Sequence, residues 1–231
     1  MNQAVAVIIG AGPGLSAALA RRCAREGMAV ALAARDTSKL AELCRETGAL
    51  AITCDAADPA QVQDLFEQID ARLGAVELCV YNAGYRYRGA LAELEPRRVE
   101  RALQVSAFGG FLAAQQAAAR MLRAGRGTIV FTGATASVKG YAQSTPFAMG
   151  KFALRGLAQC LARELAPQCI HVAHVVIDGG IATTYAKTEE DRNVDRFLDA
   201  DAIAAAYWQL HQQHRSAWTW EIELRPWLEK F

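Results

Sequence analysis

The sequence predicts an α/β fold: a single doubly wound domain over residues 1–231, with a parallel seven-stranded sheet covered by helices on both faces. Three observations predict it. Short apolar runs alternate along the chain with amphipathic segments of ten or more residues. The runs are almost continuously apolar, as strands covered on both faces should be. No composition break, repeat or Pro/Ser-rich linker divides the 231 residues, a length suited to one domain.

The elements follow in order. Residues 5–10 are a short apolar run that ends in a Gly-rich turn. Residues 15–26 have helical spacing, with Leu15, Leu19 and Cys23 on one stripe. Residues 28–34 are a second strand, 39–47 a helix stopping before Gly48, and 50–54 a third strand. Residues 59–73 form a helix with Asp58 as N-cap and Pro59 in its first position. Residues 76–81 are the fourth strand, 96–123 a long helix, and 128–132 the fifth strand. A helix over 147–166, a strand over 171–177, a helix over 200–213 and a strand-like segment over 218–224 complete the chain. This alternation implies right-handed crossovers between parallel strands.

Composition excludes several classes. Lys plus Arg is 25 and Asp plus Glu is 24, a net charge of +1, which argues against a nucleic-acid binder. At 52% hydrophobic and 21% charged, the chain is not disordered. No stretch reaches about 18 apolar residues, so no membrane span is expected. The first apolar run lacks the basic stretch of a signal peptide. Six cysteines without a C-x-x-C pair read as reduced, mostly buried thiols of a cytoplasmic protein, with no metal site. His211 and His214 have a metal-compatible spacing but no third ligand, and read as an exposed helix face. His171 and His174 point to opposite faces of their strand. Trp218, Trp220 and Trp227 read as packing for the last strand or a subunit contact.

The turn Gly10-Ala11-Gly12-Pro13-Gly14-Leu15 lies between a strand and a helix. Glycines let the backbone approach a pyrophosphate, and the helix start offers free N–H groups to it. The alternative is an ordinary strand–helix turn. A domain of this type with this turn is Rossmann-like. Strand 2 ends Ala33-Ala34-Arg35-Asp36, with no carboxylate at Ala34 to meet a ribose 2′-hydroxyl. Arg35 suits a 2′-phosphate, so NADP(H) is favoured over NAD(H). Asp36 is free to cap the next helix.

With Gly10-x-x-x-Gly14, Asp55 after strand 3, Asn82-Ala83-Gly84 after strand 4, and Lys151 after strand 5, the chain resembles the short-chain dehydrogenase/reductase family. Asp178-Gly179-Gly180-Ile181-Ala182-Thr183 lies where the family carries Pro-Gly and a nearby Thr. The resemblance covers nearly the whole chain in strict order. It implies a cofactor site of Gly10, Gly12, Pro13, Gly14, Leu15, Arg35, Asp55, Ala56, Asn82, Ala83, Gly84, Lys151, Gly179, Ile181 and Thr183. Asp55 and Ala56 would neighbour adenine, and Thr183 the nicotinamide carboxamide. It also implies a homodimer or homotetramer paired through 96–123 and 147–166, where Gly109, Gly110 and 117–119 permit close helix approach.

The departures lie in the catalytic set. The family's Tyr-x-x-x-Lys is here Phe147-Ala148-Met149-Gly150-Lys151, and a phenyl ring moves no proton. The family serine 13 residues earlier is Ala134, the helix asparagine is Ser106, the third turn glycine is Ser16, and the Pro before Gly179 is Asp178. Lys151 keeps the family's ribose contact. Lys151, Ser106, Tyr141 and Tyr85 are the catalytic candidates, with Tyr141 and Tyr85 first as substitute donors. Thr132, Thr135, Ser144, Thr145 and Tyr185 are further candidates.

Two functions lead, ahead of a third in which an enzyme of another class uses the cofactor pocket structurally. One is an NADP(H)-dependent oxidoreductase acting on an unidentified carbonyl or alcohol through an atypical proton donor. The other is an inactive, cofactor-sensing or partner-binding protein on the same scaffold. Arg86 and Arg88 flank Tyr87 near the cofactor mouth, where they serve either an acidic substrate or solvent. Substrate contacts are left to the loops after the strands and to residues 183–193.

Overall fold

The computed structural model describes residues 3–185, 188 and 196–228. Seven parallel strands form one sheet in the order β3-β2-β1-β4-β5-β6-β7. They are β1 (Val5–Ile9), β2 (Ala29–Ala34), β3 (Leu50–Thr53), β4 (Val76–Tyr81), β5 (Gly127–Thr132), β6 (Ile170–Ile177) and β7 (Glu221–Leu224). The chain reverses direction across the sheet between β1 and β4. Connections leave these neighbours in opposite directions and open a crevice at their carboxyl ends.

Side chains alternate across the sheet, so each face has its own core. On one face Val5, Val7, Ile9 and Tyr81 pack with Phe66, Ile69, Met121 and Leu154. These come from α3 (Pro59–Arg72), α5 (Gly109–Ala124) and α6 (Thr145–Leu165). On the other, Ala6, Ile8 and Leu32 meet Leu15 and Leu19 of α1 (Leu15–Arg25) and Tyr207 and Leu210 of the last helix, α8 (Ala200–Gln212).

Local signals set the boundaries. The Asp58 carboxylate accepts from the Ala60 and Gln61 amides, and Pro59 opens α3. Asp199 caps α8 by accepting from Ala202 at 2.8 Å. Gly48 ends α2 (Ala41–Thr47) in the left-handed region. Asp36 accepts from the Ser38 amide and hydroxyl, and so starts the 3-10 turn Ser38–Leu40.

Four sequence expectations change. The long helix is divided: α4 (Pro96–Leu103) passes through a π-turn, Gln104–Phe108, into α5. Gly109 and Gly110 face inward. A β-carbon on Gly109 would collide with the Tyr81 hydroxyl, and one on Gly110 with Leu154, so their close packing is within this chain. His211 is half-buried, not an exposed metal-spaced partner. Its Nδ1 pairs with Thr128 Oγ1 at 2.9 Å, while α8 ends before His214, which caps a 3-10 turn. Of the six cysteines, all free, only Cys23, Cys54 and Cys79 are buried, with Cys44 half-buried and Cys160 and Cys169 exposed.

The short last strand is held by charge. Glu221 takes both prongs of the Arg155 guanidinium, at 2.6 and 2.8 Å, and pairs with His174 Nδ1 at 2.9 Å. Trp220 lies under Arg155, and Trp218 stacks on His171 at 4.9 Å. Trp227 is exposed. Among the described residues no helix is long and apolar enough to cross a membrane.

Candidate functional site

The crevice begins at β1. Gly10 adopts φ +90°, and its amide donates to the Ala33 carbonyl at 2.9 Å. A β-carbon there would lie 2.5 Å from the backbone of Ala83. Glycine is therefore required both for the turn and for its approach to the β4 loop. Ser16, standing for the third glycine, donates to the Gly10 carbonyl at 3.0 Å and accepts from the Asn82 side chain at 2.8 Å. The hydroxyl thus ties the turn to Asn82-Ala83-Gly84. The Asn82 amide in turn donates to Ile9 at 2.8 Å.

A cleft of about 360 Å³ runs from this turn past the ends of β2 and β3. It is lined by Gly10, Gly12, Pro13, Arg35, Asp55, Ala56, Asn82, Ala83 and Gly84. A β-carbon on Gly12 would meet nothing within 4 Å. Gly14 instead faces Thr183, and Leu15 is buried in the core. Arg35 is exposed and makes no hydrogen bond or ion pair among the described residues. Asp55 accepts from the Ala57 amide at 3.0 Å and is paired with Arg101. Burial pushes its carboxyl up, but the Ala57 amide and Arg101 more than offset this and hold it below the usual range. Bare glycine backbone, a helix start and an uncommitted arginine fit a dinucleotide carrying a 2′-phosphate.

A second cavity, of about 780 Å³, continues from Asn82 and Gly84 toward the other side of β4. Lys151 reaches it from α6, together with Thr132, Ala134, Tyr141 and Phe147. Gly179, Ile181 and Thr184 close one side, whereas Thr183 turns to the glycine turn. The Lys151 ammonium donates to the Thr132 carbonyl at 2.6 Å and lies 5.9 Å from the centre of the Phe147 ring. No acid pairs with it among the described residues, and burial pushes its pKa down to about 8.

The catalytic candidates separate by position. Lys151 and Tyr141 line this cavity. Tyr85 lines the first cleft instead, where its hydroxyl accepts from Arg98 at 3.3 Å. Ser106 is fully buried in the π-turn against Gly150, and its Oγ accepts from the Tyr85 amide at 3.4 Å. It lines neither cavity. Asp178, in place of proline, is buried and paired with Arg225 at 2.5 Å. Residues 183–193 lie partly outside the described residues.

Some of this set carries no sequence signal. The Thr132 acceptor is a backbone carbonyl. Gly133 is needed because a β-carbon would strike the His174 ring behind it. Phe197 joins the wall from a distant stretch. Among the described residues, no group of three or more His, Cys, Asp or Glu side chains is placed to hold a metal.

Comparison with known proteins places the fold in a family. A family model described as short chain dehydrogenase matches residues 4–194. A 3-oxoacyl-[acyl-carrier-protein] reductase of Bos taurus is 30% identical over 210 residues, 87% of this chain and 88% of the relative. A crystal structure of a short-chain dehydrogenase from Rhodopseudomonas palustris is 35% identical, with a TM-score of 0.84 over 97% of this chain and 99% of that one. An alcohol dehydrogenase from the archaeon Thermococcus sibiricus, complexed with 5-hydroxy-NADP, is 26% identical, with a TM-score of 0.86 over 99% and 98%.

Proposed function

The chain belongs to the short-chain dehydrogenase family, and on that premise we propose that it is an NADP(H)-dependent oxidoreductase interconverting a carbonyl and an alcohol, with Lys151 as the proton-carrying group. The observation that carries this reading is the Lys151 ammonium, buried at the cavity wall beside a ring that carries no hydroxyl. NADP(H) is the cofactor that Arg35 and the glycine turn fit, and a related alcohol dehydrogenase is complexed with an NADP derivative. When bound, the nicotinamide supplies or accepts the hydride.

The chain's own residues supply the rest. A lysine ammonium has three N–H donors, of which the Thr132 carbonyl takes one. The remaining donors serve the nicotinamide ribose and the substrate oxygen. A group with its pKa near 8 releases a proton readily at neutral pH. Carbonyl reduction needs the ammonium protonated. Turnover in that direction should therefore be full below about pH 8 and fall as pH rises through it; alcohol oxidation should show the opposite slope.

The test is an NADPH-oxidation assay over a panel of ketones and aldehydes, paired with NADP⁺ titration. Lys151→Arg keeps the charge and donors but does not release a proton. We expect it to bind NADP⁺ normally and lose about 10²–10⁴-fold in kcat. An unchanged kcat and pH profile would remove Lys151 from the reaction. The second reading, a cofactor-binding protein without turnover, is the one that Phe147 and Ala134 favour. It predicts NADPH binding with no oxidation by any panel member.

Cofactor choice gives a separate prediction. Arg35→Gln should reduce the preference for NADPH over NADH by about tenfold or more, because a charge-assisted bond contributes about 1.5–3 kcal/mol. Equal preference in the variant and the parent would show that Arg35 does not read the 2′-phosphate. A homodimer or homotetramer remains part of this proposal. It rests on the exposed apolar side chains Phe108 and Phe111, whose rings stack on each other, and Met149 and Phe152 of α6.

A further inference from the structure

We infer that the cavity beside Phe147 takes a carboxylate-bearing carbonyl compound, an oxo acid with an apolar body, whose carboxylate is held by Arg86 and Arg88. Among the described residues, the charged side chains lining this cavity are Arg86, Arg88 and Lys151, with no Asp or Glu. Positive charge against apolar walls concentrates anions. The walls are apolar where a substrate body would lie, at Phe147, Ile177, Ile181 and Phe197.

Arg86 is oriented for the task. Its guanidinium lies 6.0 Å from the ring centres of both Phe147 and Tyr185, and it donates to the Tyr185 hydroxyl. Most of its five N–H donors are left over, in a planar fork that matches a carboxylate. Arg88 makes no hydrogen bond or ion pair among the described residues. Their loop is tied to the segment leading into α6 by the Gly89 amide, which donates to the Gln143 carbonyl at 3.0 Å. Phe147 thus has two cations near its ring, with Lys151 5.9 Å and Arg86 6.0 Å from its centre. A carboxylate on Arg86 would therefore share the cavity with the Lys151 ammonium.

The cofactor does not account for these arginines. The glycine turn lines the other cleft, which has its own cations in Arg35, Lys39 and Arg101. Neither Arg86 nor Arg88 lines that cleft.

The inference rests on the oxidoreductase reading for the carbonyl but not for the charge, so binding and turnover are measured separately. Benzoylformate is compared with methyl benzoylformate, and benzoylacetate with ethyl benzoylacetate, by calorimetric titration with and without saturating NADP⁺. Both arginines are exposed, so Arg86→Gln and Arg88→Gln should fold normally. We expect each acid to bind about tenfold or more tightly than its ester, each variant to shrink that preference, and NADP⁺ affinity to stay unchanged. The preference should also narrow with added salt. A preference in binding without NADPH oxidation would uphold the anion site while removing the oxidoreductase reading. Equal affinities, no binding of either acid, or weakened NADP⁺ binding in the variants would overturn the inference.

Discussion

Replacing Phe147 by tyrosine is expected to raise NADPH-dependent carbonyl reduction by about 10²–10⁴-fold, the range for adding a positioned general acid. The ring already faces the cavity of about 780 Å³, so the added oxygen enters open space and not packed core. Its hydroxyl would arrive beside the Lys151 ammonium, which lies 5.9 Å from the ring centre, with the Arg86 guanidinium at 6.0 Å. Positive neighbours favour the phenolate and lower a tyrosine pKa from its usual value of about 10. Lys151 would then be released from proton transfer to support the new donor. Ala134→Ser adds a hydrogen bond to the substrate oxygen and should contribute a smaller gain. The measurement is kcat on a confirmed substrate for each variant and for the double variant. If both Phe147→Tyr and the double variant turned over at the parent rate, proton delivery would not limit the reaction, and the account of Lys151 would fail with it.

The sequence carried the scaffold well because its signals are local. Asp58-Pro59 starts α3, Gly48 ends α2, and the apolar run of β1 alternates between two cores. The π-turn at Gln104–Phe108 escaped because its shift in hydrogen-bond register leaves the apolar spacing of the helix almost unchanged. The short helix α7 (Ala182–Tyr185) is too brief to show a period. At the site, the glycine turn and Asn82-Ala83-Gly84 were legible because they are contiguous. Which cavity a side chain enters was not. Tyr85 and Arg86 are adjacent, yet Tyr85 lines the cofactor-side cleft and Arg86 the cavity beside Phe147. That division is set by long-range partners, Arg98 for one and Tyr185 for the other. Ser106 likewise reads as a helix residue near the site, and only its packing against Gly150 withdraws it from both cavities.

The same substitution at two glycines of the β1 turn should have opposite consequences. Gly10→Ala is expected to cost about 2–4 kcal/mol of stability. One part is the positive φ of +90°, which a side chain adopts at about 1–3 kcal/mol. The other is overpacking, since the β-carbon would sit 2.5 Å from Ala83 Cα and N. Those are backbone atoms of the loop after β4, and that loop is fixed by the Asn82 amide bonded to Ile9. Relief therefore requires β1 and β4 to part at their carboxyl ends, which widens the cofactor crevice as well. Gly12→Ala has neither penalty. Its φ lies outside the left-handed range and its β-carbon meets nothing within 4 Å. Stability should stay within about 0.5 kcal/mol of the parent. The methyl group would instead occupy the cleft that the bare backbone keeps open, and NADP⁺ affinity should fall by about tenfold or more, a loss of about 1.4 kcal/mol. Urea unfolding and NADP⁺ titration of the two variants separate the roles. A Gly10→Ala protein as stable as the parent would contradict the close approach to Ala83. A Gly12→Ala protein that binds NADP⁺ like the parent would mean that the phosphates do not lie against this turn.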